Sequence, residues 1–388
     1  MAPWLHVLVP FSLALTSQTL TALAFTYTAS DSILRIPISV GVVALTWQFH
    51  QTVQDVLTPN QLLMALLTTG MWIQCIKTFD DLSLTRISVE KQEQWTTLNH
   101  RRRGFFKGVE TTGSRISWAL VMLWNARGIG TPWQIDRLPV WAAGWVPSRR
   151  HELSRHTRNF VICYFVLDVF AHRPPPDLDR LMAVDNQSLF SRLCCITTEE
   201  VIFRFAAVSA FWLNTFCLVI FLNSIFSVLY LLILPVEMVP PIYGKLSDTY
   251  TLRNFWGHSR STWHQTLRRP LTSISNFFIY RVFRLPPSPR SLIAARYLKL
   301  FISFGISGAI HQSADLVLGI SRNESQAFVY FVTTAAAITF EDGVQYIFSP
   351  KVIGQAWRKY VGYIWVCGYM YWMTPACAYP AARVVRPT

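Results

Sequence analysis

The stretch VIFRFAAVSAFWLNTFCLVIFLNSIFSVLYLLIL, residues 201–234, decides the fold class. A helix crosses the hydrocarbon core of a bilayer with about 20 apolar residues. This run is long for one straight span and short for two. Read as two helices, it places a tight turn near Leu222 and Asn223. Single runs of similar character recur at residues 3–27, 33–49, 61–79, 292–318, 327–348 and 360–379. Together they predict an all-α, polytopic integral membrane protein of about eight transmembrane helices. A further run, 159–171, is short for a crossing and reads as a re-entrant or interfacial segment.

Composition agrees. The 388 residues are 52% hydrophobic and only 14% charged, where soluble domains carry about 25%. Mean hydropathy is +0.29. The net charge of +14 suits anionic headgroups or a polyanionic small molecule. Nucleic acid is the weaker reading, because no arm, finger or aromatic-studded basic sheet motif is present. Seven cysteines lie scattered without a C-x-x-C spacing, so neither a metal site nor a disulfide frame is signalled. They read as reduced, mostly buried thiols, with adjacent Cys194 and Cys195 unpaired. The first basic residue is Arg35, which argues for a retained first span over a cleaved leader. The whole chain, 1–388, reads as one membrane-embedded domain.

Two basic stretches interrupt the apolar runs, 80–158 and 240–290. The tendency of basic loops to stay inside puts both on the cytoplasmic side. The first holds HRRRGFF, residues 100–106, and an amphipathic segment, 116–124, suited to the interface. The second holds PPIYGKLSDTYTLRNFWGHSRSTWHQTLRRPL, residues 240–271. There Asp248 or Thr249 is expected to cap a short helix beginning near Thr251. On that helix Asn254 and His258 would share a face. A bilayer-boundary belt accounts for Phe255, Trp256 and Trp263. It accounts less well for Asn254 and His264, which beside aromatic walls would suit a substrate carbonyl.

Some forty residues on comes ISFGISGAIHQSAD, residues 302–315. Its small residues allow close helix approach, so one reading of His311 is a packing seam with a single bonded histidine. The other is a reaction centre, since an ionisable ring in a membrane helix is a functional candidate. A desolvated imidazole stays neutral, the form that accepts a proton.

WGHSRSTWHQ taken with SFGISGAIHQSAD resembles the wax-synthase-like branch of the membrane-bound O-acyltransferases (an MBOAT-like pattern). That branch shows a Phe-Trp pair, then Trp-His or Trp-Asn, and a later membrane histidine preceded by small residues. PPIYGKLSD and NARGIGTPW, residues 125–133, are similar to stretches of its fungal members. The resemblance implies a catalytic role for His311, with His264 or Asn254 as donors to the developing oxyanion. It implies that Phe255, Trp256, Trp263 and Gln265 meet the acyl donor, and that Arg260, Arg268 and Arg269, with Arg101 to Arg103, are candidate anchors for coenzyme A phosphates. It implies acetyl-coenzyme A as co-substrate, no bound cofactor or metal, and a hydrophobic terpenoid or meroterpenoid alcohol as acceptor. Membrane lipid is the surrounding partner, and the endoplasmic reticulum the expected residence. One departure stands: six residues, Gly257 to Thr262, separate Trp256 from Trp263, where the branch has about three. That is nearly one helical turn, so both His258 and His264 remain candidates to face His311, with Gln265 favouring His264.

Other residues carry weaker signals. Glu341 and Asp342 lie in an apolar segment and read as a packing pair bonded to a neighbour. Asp168 in YFVLDVF is ambiguous. The longer-chain, wax-ester version of the reaction is the nearest alternative. From another class comes a proton-coupled transporter using His311 and Glu341, which would call for inverted repeats or paired broken helices; neither is found in the sequence.

Overall fold

The computed structural model describes residues 3–57, 60–98, 111–136, 138–139, 141, 146–172, 178–187, 194–257, 263, 265–286, 288–348 and 355–384. Its helices, in chain order, begin with α1 (Pro3–Tyr27), α2 (Arg35–Leu57), α3 (Gln61–Phe79), α4 (Val89–Leu98) and α5 (Thr112–Trp124). Next come α6 (Arg149–His172), the single turns α7 (Leu178–Leu181) and α8 (Val184–Gln187), α9 (Thr198–Ile233) and α10 (Leu252–Trp256). The last are α11 (Arg268–Phe277), α12 (Pro289–Val317), α13 (Ala327–Ile347) and α14 (Gln355–Val384). No strand occurs among the described residues. The chain is a polytopic, all-α membrane protein.

Five of these segments are long and apolar enough to cross a membrane: Leu8–Tyr27, Gln61–Leu84, Thr198–Ile233, Ser291–Val317 and Ala327–Ile347. The expected spans at 33–49 and 360–379 do form helices, α2 and α14, but neither is among these five; their charges lie near the ends, Arg35 and Asp55 in α2 and Arg358, Lys359 and Arg383 in α14. The run at 201–234 is one helix of 36 residues, not a hairpin. It contains no Gly or Pro to break it. The expected turn near Asn223 fails because Ser224 and Ser227 are 0% and 3% exposed and serve as a small, packed helix face instead. At 1.5 Å per residue such a helix is about 54 Å long, well beyond the ~30 Å hydrocarbon core.

Two compact units divide the chain, each made of two segments: Met1–Asp136 with Thr266–Gly319, and Arg137–Gln265 with Ile320–Thr388. In the first, α1, α2 and α3 pack in sequence, α5 lies on α1, and α12 lies on α3, α2 and α11. The α5 segment matches the expected amphipathic stretch and starts at a capping box in which Thr111 and Ser114 bond reciprocally. It buries Trp118 and Met122 and leaves Ile116, Leu120 and Trp124 exposed. The loop after it owes its shape to NARGIGTPW. The Asn125 amide donates to the Ile129 carbonyl and its oxygen accepts from the Ile129 N–H, both at 2.8 Å. Gly128 has φ +63° and faces the Trp133 carbonyl oxygen so closely that a Cβ would lie 2.5 Å from it. Only glycine fits there.

The first unit also holds a buried ion cluster. A π-turn, Asp80–Leu84, continues α3 and brings Asp80 and Asp81 inside, both 0% exposed. Lys77 Nζ lies 2.5 Å from Asp81 Oδ2 and donates to the Met122 carbonyl at 2.7 Å. Arg269 on α11 pairs with Asp81, and its Nε lies 3.6 Å from Asp80 Oδ2. Two cations and two anions neutralise one another where water does not reach.

In the second unit α6 packs along α9, and α14 touches α9, α13 and α8. The 159–171 run is the apolar half of α6, whose polar half buries Glu152 and His156. Arg155 grips Glu152 and reaches His156 Nε2 at 3.0 Å. Burial, and then the Arg155 charge, push the His156 imidazole down to about 4, partly opposed by Glu152. Unfolded, the ring titrates near 6.5. Between those values the unfolded chain holds a proton that the folded chain refuses, so this contribution is whole above pH 6.5 and is lost as pH falls towards 4. Melting temperature is therefore expected to fall between pH 7 and pH 5 by more in the native protein than in His156→Gln. Equal falls would show that the ring does not set this dependence.

All seven cysteines are free, but the expectation that most are buried is corrected. Cys75, Cys163 and Cys217 are buried, whereas Cys194, Cys195 and Cys367 are exposed. The first two of these exposed thiols lie in the short loop before α9, and Cys367 lies on an outer face of α14.

Candidate active site

His311 is positioned by the helix that carries it. Ser288 opens α12 with a capping box to Ser291, and Pro289 takes the first helical position. At the other end Gln54 of α2 donates to the carbonyls of Leu316 and Val317, at 3.0 and 2.7 Å, satisfying acceptors that a helix end leaves open. In the first half of the helix the Ser275 and Ser303 hydroxyls meet at 3.1 Å and tie α11 to α12. The packed side of α12 is taken by Gly308, Ile310, Ala314 and Val317, all buried. The His311 ring is on none of these contacts and is exposed.

The second unit places the tryptophan motif. Thr251 is the residue that caps α10, accepting from the Asn254 N–H at 2.9 Å. This corrects the expected cap at Asp248 or Thr249: Asp248 ends a preceding 3-10 turn, and only Thr251 has the extended backbone a cap needs. The helix stops at Trp256 with Gly257 as its C-cap. The face expected to join Asn254 and His258 therefore does not extend that far, because the helix has only five residues. His258, Arg260 and His264 lie outside the described residues, as do Arg101 to Arg103.

Glu341 fixes α10 from α13. Its carboxylate accepts from the Leu252 N–H at 2.7 Å, from the Arg253 N–H at 3.4 Å and from the Trp365 indole at 3.0 Å. Asp342 receives both arms of the Arg253 guanidinium, with Nε at 2.9 Å. The two acids are the packing pair that the sequence suggested. Glu341, with three donors on its oxygens, is a poor partner for a proton relay. Asn254 spends one amide hydrogen on the Asp248 carbonyl at 2.9 Å, which closes the loop ahead of the helix.

The three motif aromatics come together. The Phe255 and Trp263 rings stack at 5.6 Å, and Trp256 stands 5.2 Å from Phe255 and 5.9 Å from Trp263. Two residues the sequence reading passed over complete the box. Trp212 of α9 meets all three rings edge-on, at 5.4, 6.1 and 5.3 Å. Tyr243, from PPIYGKLSD, lies 5.8 Å from Trp263 and stacks on Phe216 at 4.7 Å. A sequence signal for Trp212 existed: an indole N–H inside a lipid-like run calls for a partner, and Thr374 supplies it at 2.9 Å. Gln265 is 3% exposed, and neither atom of its amide has a partner.

The predicted phosphate anchors fare unequally. Arg268 is half-buried in the first turn of α11. Arg269 is 7% exposed and committed to Asp80 and Asp81, so its charge is already neutralised within the fold and the expectation of a coenzyme A anchor there is corrected. Asp168 pairs with His172 at 3.4 Å on the outer face of α6 and adjoins none of these groups. Among the described residues no group of three or more His, Cys, Asp or Glu is placed to hold a metal ion.

The segment that carries both the tryptophan box and His311 is the one with a likeness to a known family. Residues 239–333 match the Membrane bound O-acyl transferase family, a segment that takes in both the tryptophan motif and His311. The likeness to this family rests on that segment. The chain is similar to acetyltransferase pyr8 of Aspergillus fumigatus, 35% identical over 295 residues that cover 69% of this chain and 65% of that protein. Acetyltransferase atnC of an Arthrinium species is 31% identical over 285 residues, 69% of this chain and 63% of that protein. Acetyltransferase ataH of Aspergillus terreus is 29% identical over 289 residues, 69% of this chain and 90% of that protein. The match spans a little under two thirds of the length of the first two. No solved structure matches the chain.

Proposed function

We propose that this protein is an O-acyltransferase that moves an acetyl group from acetyl-coenzyme A to a hydroxyl of a polycyclic terpenoid or meroterpenoid. The observation that carries the reading is His311, a histidine within the last two turns of a membrane-length helix. In the step it serves, His311 takes the proton of the alcohol as the oxygen attacks the thioester carbon. The carbon–sulfur bond then breaks, and the imidazolium returns the proton to the departing thiolate. An ester and free coenzyme A result, with no other reactant consumed. Amide or imidazole donors such as Asn254 and His264 would steady the charge on the carbonyl oxygen. Three relatives that carry the word acetyltransferase in their names support the short donor. A multi-pass chain with its basic stretches facing the cytoplasm suits residence in the endoplasmic reticulum, where a soluble thioester and a membrane-dissolved alcohol are both at hand.

Deleting this chain from a strain that makes the product tests the reading and names the acceptor. Mass spectrometry of the deletion strain is expected to find an accumulated alcohol one acetyl unit lighter than the finished compound. An unchanged metabolite profile would count against the assignment.

A further inference from the structure

Resting on the acyl-transfer reading, the geometry points to Trp212 as the residue that limits the length of the acyl group this protein accepts. The three motif aromatics were expected to line the path of the donor chain. Their inner faces are instead met by a single indole, with ring centroids 5.3 to 6.1 Å away and interplanar angles of 71° to 89°. That indole is held at its far end by the hydrogen bond from Nε1 to Thr374 Oγ1, 2.9 Å long, on α14. Thr374 is 1% exposed, so water does not compete for this bond. A ring packed by three aromatics and tied by its only donor has no free rotamer into which to swing. The space among Phe255, Trp256 and Trp263 is therefore closed to a long alkyl chain.

A second observation concerns the polar groups around this box. Buried polar atoms in a core made for stability are nearly always satisfied. One group at this box, and one close to it in sequence, are not. The Tyr243 hydroxyl is buried without a partner, on a ring 5.8 Å from Trp263. The Gln265 amide, two residues along from Trp263, is buried with both its atoms unpartnered. A phenol O–H and an amide N–H are the donors that a thioester carbonyl would use. The box thus offers hydrogen bonds to the head of an acyl group and no room for its tail, which is the specificity of an acetyl donor.

The experiment compares kcat/KM for acetyl-, butanoyl- and hexanoyl-coenzyme A in the full-length detergent-purified protein and in Trp212→Ala, Trp212→Phe and Thr374→Val. A methylene or two in an apolar pocket changes discrimination by about 10–200-fold. The hexanoyl-to-acetyl ratio is expected to rise at least ~10-fold in Trp212→Ala. It should rise less in Trp212→Phe, which keeps the core filled, and less again in Thr374→Val, which unties the indole and also removes the hydroxyl that Tyr330 meets. Folded variants with the native ratio would overturn this assignment while leaving the acyl-transfer reading intact. A native protein that transfers none of the three groups would overturn both.

Discussion

Replacing His311 by alanine is expected to lower the rate of acyl transfer about 10²–10⁴-fold, the range that general-base help supplies. The fold should survive the change. The ring is exposed and its neighbours Gly308, Ile310 and Ala314 carry the packing of α12, while alanine is the best helix former. Turnover and thermal unfolding measured on the same preparation separate the two effects. A glutamine at this position, which bonds but does not take up a proton, should be nearly as slow as alanine. Full turnover in either variant would reduce His311 to a structural residue.

The second large effect lies in the ion cluster. Arg269→Ala leaves Asp80 and Asp81, both 0% exposed, with Lys77 as the sole opposing charge of the four. Breaking a buried pair by removing one partner costs about 3–5 kcal/mol, because the remaining charge is stranded without water. The variant is expected to melt far earlier and to give little folded protein. In whatever fraction folds, KM for acyl-coenzyme A should be close to native, because this guanidinium points at carboxylates inside the protein. A stable Arg269→Ala protein with a sharply raised KM would restore the arginine to the role of a phosphate anchor.

Those two residues show what the sequence discloses and what it hides. His311 stands out as a candidate because a titratable ring among Gly305, Ser307 and Gly308 is out of place in lipid. The start of α12 lies three residues ahead of the apolar run at 292–318, because Ser288 caps it and Pro289 fits its first turn. Arg269 was misread because a basic stretch says nothing about which of its charges turn inward. Its partners lie 188 residues away in sequence, and Asp80 and Asp81 gave no sign of needing a cation from there. The single long α9 was hidden for a different reason. Asn223 and Ser224 look like a turn in isolation, yet a helix tolerates them when a neighbour such as α6 packs on their small side chains. Trp212 was lost in the same run, where one more aromatic in an apolar helix attracts no notice until its contacts are seen.

The measurement that bears most directly on the account is transfer of label. Purified protein is given acetyl-coenzyme A carrying an isotopic acetyl group, together with a hydroxylated terpenoid acceptor, and the product is weighed by mass spectrometry. The native chain is predicted to deliver one labelled acetyl to each product molecule and to release free coenzyme A in equal amount, with His311→Ala delivering almost none. Acceptor recovered without label, or label delivered equally well by the alanine variant, would contradict it.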